Sequence, residues 1–172
     1  MSAIQTWGST AEERGEAFPC DRYLDQPFES CFRAVDVDAP TDLTFRWLCQ
    51  LRVAPYSYDW IDNFGRRSPR RRDPKIEQLA VGQRAMTIFR IVDFEIDRQI
   101  TFVIDRTKVF GKVAVTYALR PTARGSRILV KLNYQLASAL MRWILPAGDL
   151  VMMRKQLLTL KQLAEREHAA AA

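Results

Sequence analysis

Residues 112–136 read KVAVTYALRPTARGSRILVKLNYQL. Val113, Val115, Tyr117 and Leu119 alternate with Lys112, Ala114, Thr116 and Ala118, and Ile128, Val130, Leu132, Tyr134 and Leu136 alternate with Leu129, Lys131, Asn133 and Gln135. A period of two places successive side chains on opposite faces of a strand. Pro121 to Ser126, with Gly125, supplies the turn, so the two runs predict an antiparallel hairpin. After Leu136 the period changes: Leu150, Met153, Leu157, Leu160 and Ala164 step by three and four, with Arg154, Lys155, Lys161 and Glu165 off that stripe. The spacing predicts a long helix from about Asp149 to Glu167, with Asp149 as its N-cap and Pro146 as a break or kink just before it.

Upstream of the hairpin the strand pattern continues. Val81 to Ile91 reads as a strand with Arg84 and Arg90 toward water and Ala85, Thr87, Phe89 and Ile91 opposite; Asp93–Ile96 and Ile100, Phe102 and Ile104 extend the meander. Ser30 to Asp38 forms the first strand, with Val35 and Val37 on one face. Pro40, Thr41 and Asp42 suit a helix start, and Leu43, Trp47 and Leu51 give that helix an apolar stripe. A second short helix or loop holds Tyr56, Tyr58, Trp60 and Phe64. The expected fold class is α+β: a curved antiparallel sheet of about six or seven strands wrapped around a long C-terminal helix, with two short helices after strand one. Residues 1–28 lack a steady period and read as a tail or loosely docked arm, 29–168 as a single domain, and 169–172 as a C-terminal tail.

The composition excludes several kinds of chemistry. The chain has 172 residues, 48% of them hydrophobic and 27% charged, as in an ordinary globular domain. Its single histidine, His168, lies near the end of the chain, which argues against Ser-His-Asp, Cys-His and HExxH sites. Cys20, Cys31 and Cys49 are odd in number and widely spaced, a usage that fits a reducing cytoplasm rather than a disulfide framework. With no glycine-rich phosphate motif either, the expectation is no metal and no cofactor. No apolar run reaches the roughly 20 residues that a membrane-spanning helix needs.

The order of elements, together with Val35-Asp-Val37-Asp-Ala39-Pro40, Phe45, Leu48, Trp60, Val81-Gly82 and the strand from Ser126 to Leu132, resembles the START-like proteins of the polyketide cyclase/dehydrase and lipid-transport group. The resemblance spans about residues 30 to 167. It implies a helix-grip fold with a hydrophobic cavity between sheet and long helix, and a small apolar ligand such as a lipid, polyketide-like or aromatic compound. No cyclase motif offers catalytic residues to carry over, so catalytic residues stay unassigned.

Within that scheme the expected ligand-binding residues are Tyr56, Tyr58, Trp60, Phe89, Ile91, Phe102, Tyr117, Tyr134, Trp143 and Met153. Each large apolar body suits either a pocket wall or plain core, and tyrosine and tryptophan add a polar handle that can orient a ligand. Trp60, Phe89, Tyr117, Tyr134 and Met153 are expected to line one cavity. The acid pairs Asp59/Asp62 and Asp93/Glu95 read as solvated surface groups. Arg66, Arg67, Arg70, Arg71 and Arg72 carry much of the formal charge of +6; with Gly65, Ser68 and Pro69 they read as an exposed loop with weak, salt-sensitive anion binding at most. That loop points to weak contact with anionic membranes and to no specific nucleic acid, since no aromatic stacking pattern accompanies it. Three functions are thus open: a binding module for a small hydrophobic molecule, a cyclase or dehydratase acting in the same cavity, and an interaction protein with a filled core and a basic loop.

Overall fold

The computed structural model describes residues 3–62, 65–104, 111–135 and 139–171, with the backbone alone for 3, 61, 62 and 139–147. A short helix α1 (Ala11–Gly15) precedes strand β1 (Glu29–Val37); helices α2 (Thr41–Cys49) and α3 (Asp59–Asp62) follow. Then come β2 (Arg84–Ala85), β3 (Phe89–Glu95), β4 (Gln99–Ile104), β5 (Lys112–Thr122), β6 (Gly125–Gln135) and the 33-residue helix α4 (Ala139–Ala171). The six strands form one antiparallel sheet in the order β1-β6-β5-β4-β3-β2.

Register explains the alternation. Val113 faces Tyr134, Val115 faces Leu132, Tyr117 faces Val130 and Leu119 faces Ile128, so both apolar series share one surface. Phe102 joins them opposite Val115 and Ile100 opposite Tyr117. A bulge between Ile91 and Asp93 on β3 bends that edge. Against this surface α4 lays Met153, Leu157, Leu160, Leu163 and Ala164, all buried. The far end of α4 is fastened to α2, where Trp47 Nε1 donates to Glu167 Oε2 at 2.9 Å.

Three expectations change. The helix begins at Ala139 rather than Asp149, so Asp149 lies within it instead of capping it, and the helix extends to Ala171. The run from Val81 to Ile91 is not one strand: Met86 and Thr87 have φ of 44° and 68°, left-handed values that turn the chain between β2 and β3. Of residues 1–28, expected as a tail or loosely docked arm, Trp7 packs against the main core beside α4, and Phe18, Cys20 and Leu24 pack on the opposite face of the sheet.

That second face has its own core. Phe18, Cys20 and Leu24 of the arm are buried against Phe32, Ala34, Ala114, Ala118 and Leu129. Cys20 N–H donates to Thr116 Oγ1 at 3.0 Å, and Asn133 Nδ2 donates to Asp21 Oδ1 at 2.7 Å. Lys131 pairs with Asp21 at 2.7 Å while its ammonium lies over the rings of Phe18 and Phe32, 5.6 and 5.4 Å from their centroids. Gly8 allows the close approach at the start of the arm: its φ is +76°, and a Cβ there would stand 2.1 Å from the carbonyl oxygen of Ala34. The small residues on alternate positions of β5 are thus the floor on which the arm sits.

A Phe18→Ala variant is therefore expected to lose about 3 kcal/mol of stability, the usual cost of emptying a buried aromatic site. Urea denaturation measures it, and a loss below about 1 kcal/mol would mean that the arm is only loosely attached.

Candidate functional site

Near Asp149 the helix and the sheet stand apart and leave a cavity of about 210 Å³. Its sheet wall is apolar, made by Ile88 and Phe89 before and on β3, Val115 and Tyr117 on β5, and Leu132 on β6. The helix contributes Asp149, Met152, Met153 and Gln156, and the remaining edge is closed by Pro55, Ser57 and Met86. The helical residues at 149, 152, 153 and 156 recur at three- and four-residue steps, which places them on one face. Three methionines in so small a wall can adjust to varied apolar shapes.

Two strained backbone positions shape this rim. Tyr56 has φ of 56°, and its ring turns into the core, edge-on to Trp47 with centroids 6.3 Å apart. The residues on either side of it, Pro55 and Ser57, are the ones that meet the cavity. Met86, the second left-handed residue, is held by its N–H donating to Leu51 C=O at 2.9 Å. Such conformations persist only where surrounding structure enforces them.

The polar groups of the wall fall into two sets. Tyr117 Oη donates to Gln156 Oε1 at 2.5 Å, and Gln156 Nε2 donates to Pro55 C=O at 2.7 Å, a chain that ties sheet, helix and loop together. Burial holds the Tyr117 phenol well above its ordinary pKa, so it stays neutral. The second set is ionic. Arg33 on β1, 1% exposed, donates through Nη2 to Asp149 Oδ2 at 2.8 Å and through Nη1 to Phe32 C=O at 2.8 Å. Burial pushes the Asp149 carboxyl up to about 6, although Arg33 pulls the other way. Loss of hydration outweighs the single ion pair.

The expected ligand-binding residues scatter over three environments. Phe89, Tyr117 and Met153 stand in the cavity wall. Tyr56, Ile91, Phe102 and Tyr134 are buried in the surrounding core, outside that wall; Tyr134 Oη donates to Glu29 Oε2 at 3.2 Å. Tyr58 is half-buried and Trp60, at the start of α3, is 75% exposed, so neither lines the cavity, and the expected grouping of Trp60 and Tyr134 with Phe89, Tyr117 and Met153 does not form. The Trp143 side chain lies outside the described residues. Sequence reasoning missed Ser57, Met86, Asp149 and Gln156 as wall residues. The helical step from Met153 back to Asp149 and on to Gln156 was the available signal.

Among the five arginines, Arg66, Arg67, Arg70 and Arg71 are exposed. Arg72 is not a free anion-binding group: its guanidinium forms ion pairs with Glu77 and with Glu167, the latter at 2.6 Å. The loop is also tethered, because Asp59 accepts from Ser68 N–H at 2.9 Å and from Ser68 Oγ at 2.5 Å. A groove of about 610 Å³ runs between this loop and the end of α4, past Arg70, Arg71 and Arg166. It is larger than the cavity, and its wall mixes the charged groups of Arg70, Arg71, Arg72, Arg166 and Glu167 with the apolar Trp47, Pro74, Leu163 and Ala170. Glu95 is paired with Arg98 at the surface, 2.7 Å apart. Among the described residues no group of three or more His, Cys, Asp or Glu could hold a metal ion, and no helix is long and apolar enough to cross a membrane.

A grooved sheet closed over one long helix, with the cavity between them, is the helix-grip fold. No protein-family model and no curated protein matches the sequence. Solved structures do match in shape. The Zhui aromatase/cyclase from Streptomyces sp. R1128 is 15% identical with a TM-score of 0.58, the match covering 85% of this chain and 99% of that one. Protein MLL2253 from Mesorhizobium loti is 16% identical with a TM-score of 0.51, over 80% of this chain and 98% of that one. Ara h 8.0201 is 10% identical with a TM-score of 0.51, over 84% and 99%. At these identities the likeness is one of fold, and it agrees with the architecture that the resemblance to START-like proteins implied.

The electrostatics of the cavity give a direct test. The folded-state Asp149 carboxyl holds its proton more tightly than the unfolded chain does, so this group favours folding below its unfolded value of 3.8 and that contribution is lost as pH rises through about 6. Carbon-detected NMR titration of Asp149 should show a midpoint near 6, and Arg33→Met should move it higher still. A native midpoint near 4 would mean that the ion pair, not burial, dominates.

Proposed function

We propose that this protein binds one small, largely apolar molecule in the cavity between the sheet and α4. The apolar cleft of about 210 Å³ between sheet and helix carries this reading. A helix that served only to cover the sheet would pack against it here as it does at Leu157 and Leu160, because interiors are close-packed. The wall has the composition of a ligand site: apolar over most of its area, with a few polar groups at defined places. Size narrows the ligand class. An apolar cavity of about 150 Å³ suffices for benzene, and drug-sized ligands occupy roughly 300–1,000 Å³. A compound of one or two rings fits better than a whole lipid or sterol. The open cleft also weighs against the alternative of an interaction protein with a filled core. Free, buried thiols at Cys20, Cys31 and Cys49 support a reducing compartment, in keeping with a cytoplasmic site of action.

A cyclase or dehydratase activity is the second reading, and Asp149 is what favours it. A buried carboxyl with a pKa raised to about 6 on the wall of an apolar cavity can hold or accept a proton near neutral pH, as general acid–base chemistry requires. The aromatase/cyclase that shares the fold is consistent with it. Mass change of a bound compound on incubation separates the two readings.

Native mass spectrometry of freshly purified protein, followed by solvent extraction, should reveal one small apolar compound per chain. Met152→Trp, which fills the cavity from the helix side, should abolish the adduct, whereas Trp60→Ala should retain it. Equal retention in both variants would place the ligand elsewhere.

A further inference from the structure

The cavity holds two polar groups that can take a further hydrogen bond. Ser57 lines it, and Ser57 Oγ is shielded from solvent with no hydrogen-bond partner among the described residues. Asp149 lines it too; Oδ2 accepts from Arg33, and a carboxylate has acceptor sites beyond that one bond. The other polar side chains of the wall are occupied: Tyr117 and Gln156 are bonded to each other, and Gln156 also to Pro55. Buried polar atoms in native structures are nearly always satisfied, so the open Ser57 hydroxyl marks where a ligand's polar group belongs, with the Asp149 carboxylate on the same wall.

We infer that the cavity takes a neutral one- or two-ring compound bearing a hydroxyl group, which donates to Asp149 and accepts from Ser57. The inference rests on the ligand-binding reading above and adds the chemistry of the ligand to it. An ionised carboxylate can only accept, so its ligand partner must carry a donor; a serine hydroxyl can donate, so its partner must carry an acceptor, and a hydroxyl group supplies both. A ligand carboxylate does not, because it would face Asp149 with like charge. The guanidinium of Arg33 is already committed to Asp149 and to the Phe32 carbonyl. The rest of the ligand meets Met86, Met152, Met153, Ile88 and Val115, a surface that suits a ring.

Four naphthalene probes of nearly equal bulk test this: naphthalene, 2-naphthol, 2-methoxynaphthalene and 2-naphthoate, measured by calorimetry or fluorescence at pH 7.5 on the full chain. 2-Naphthol should bind about tenfold tighter than naphthalene or 2-methoxynaphthalene, since the ether cannot donate, and 2-naphthoate should be weakest. Ser57→Ala should cut the naphthol preference over naphthalene to within about threefold, with an unchanged far-UV circular dichroism spectrum and thermal midpoint showing that the variant is folded. Asp149→Asn should make 2-naphthoate binding measurable. If naphthalene and 2-naphthol bind equally, or if Ser57→Ala leaves the preference intact, the hydroxyl inference is overturned while the binding reading stands. If no probe binds, the binding reading itself fails, and this inference with it.

Discussion

A guanidinium placed among apolar side chains must meet a counter-charge, and in this protein Arg33 of the first strand meets Asp149 of the last helix. The two residues are 116 positions apart in the chain. Bringing both charges out of water is expensive, and their attraction roughly offsets that cost only while both are present; removal of one partner typically costs 3–5 kcal/mol. The pair therefore contributes little net stability but strongly penalises any arrangement that separates β1 from this part of α4. It also leaves no net charge in the wall, which allows an apolar cavity to exist beside it.

The remaining contacts of the helix act with that pair. Leu157, Leu160, Leu163 and Ala164 sit against the sheet and α2, and Glu167 bonds both Trp47 and Arg72. Held at this end by packing and at the other by an ion pair, α4 spans the sheet without filling the space at residues 149 to 156. The Tyr117–Gln156–Pro55 chain bridges that gap with hydrogen bonds rather than with side-chain bulk. The opposite face of the sheet is sealed by the arm, so both surfaces of β5 and β6 are dry over most of their length. The sheet thus forms a stiff middle layer, and the cavity opens on one side of it.

Much of this was legible in the sequence. Alternation in 112–136 and the later helical stripe specify a hairpin and a helix that covers it, because only one face of each strand could match the apolar face of α4. Phe89, Tyr117 and Met153 could be chosen as wall residues on parity and step alone. Tyr56 and Trp60 could not be sorted, because a left-handed φ at Tyr56 sends its ring inward and a neighbour toward the cavity, and no propensity signals that conformation in a tyrosine. Asp149 reads as a helix N-cap and Arg33 gives no signal, because a pairing across 116 residues is invisible to local pattern. The docked arm left a subtler trace: Ala114, Thr116 and Ala118 are uncharged and small where a solvated strand face would carry charges. Met86 and Thr87 hid the turn between β2 and β3, since neither residue is a usual turn former.

The central claim, that a small ring compound enters the space beneath α4, can be tested at the atoms that would touch it. The chain has five methionines, of which Met86, Met152 and Met153 line the cavity. With methionine methyl groups labelled with carbon-13, titration with 2-naphthol should shift the resonances of these three in a saturable manner. Resonances of Met86, Met152 and Met153 that stay in place at saturating 2-naphthol would contradict the account.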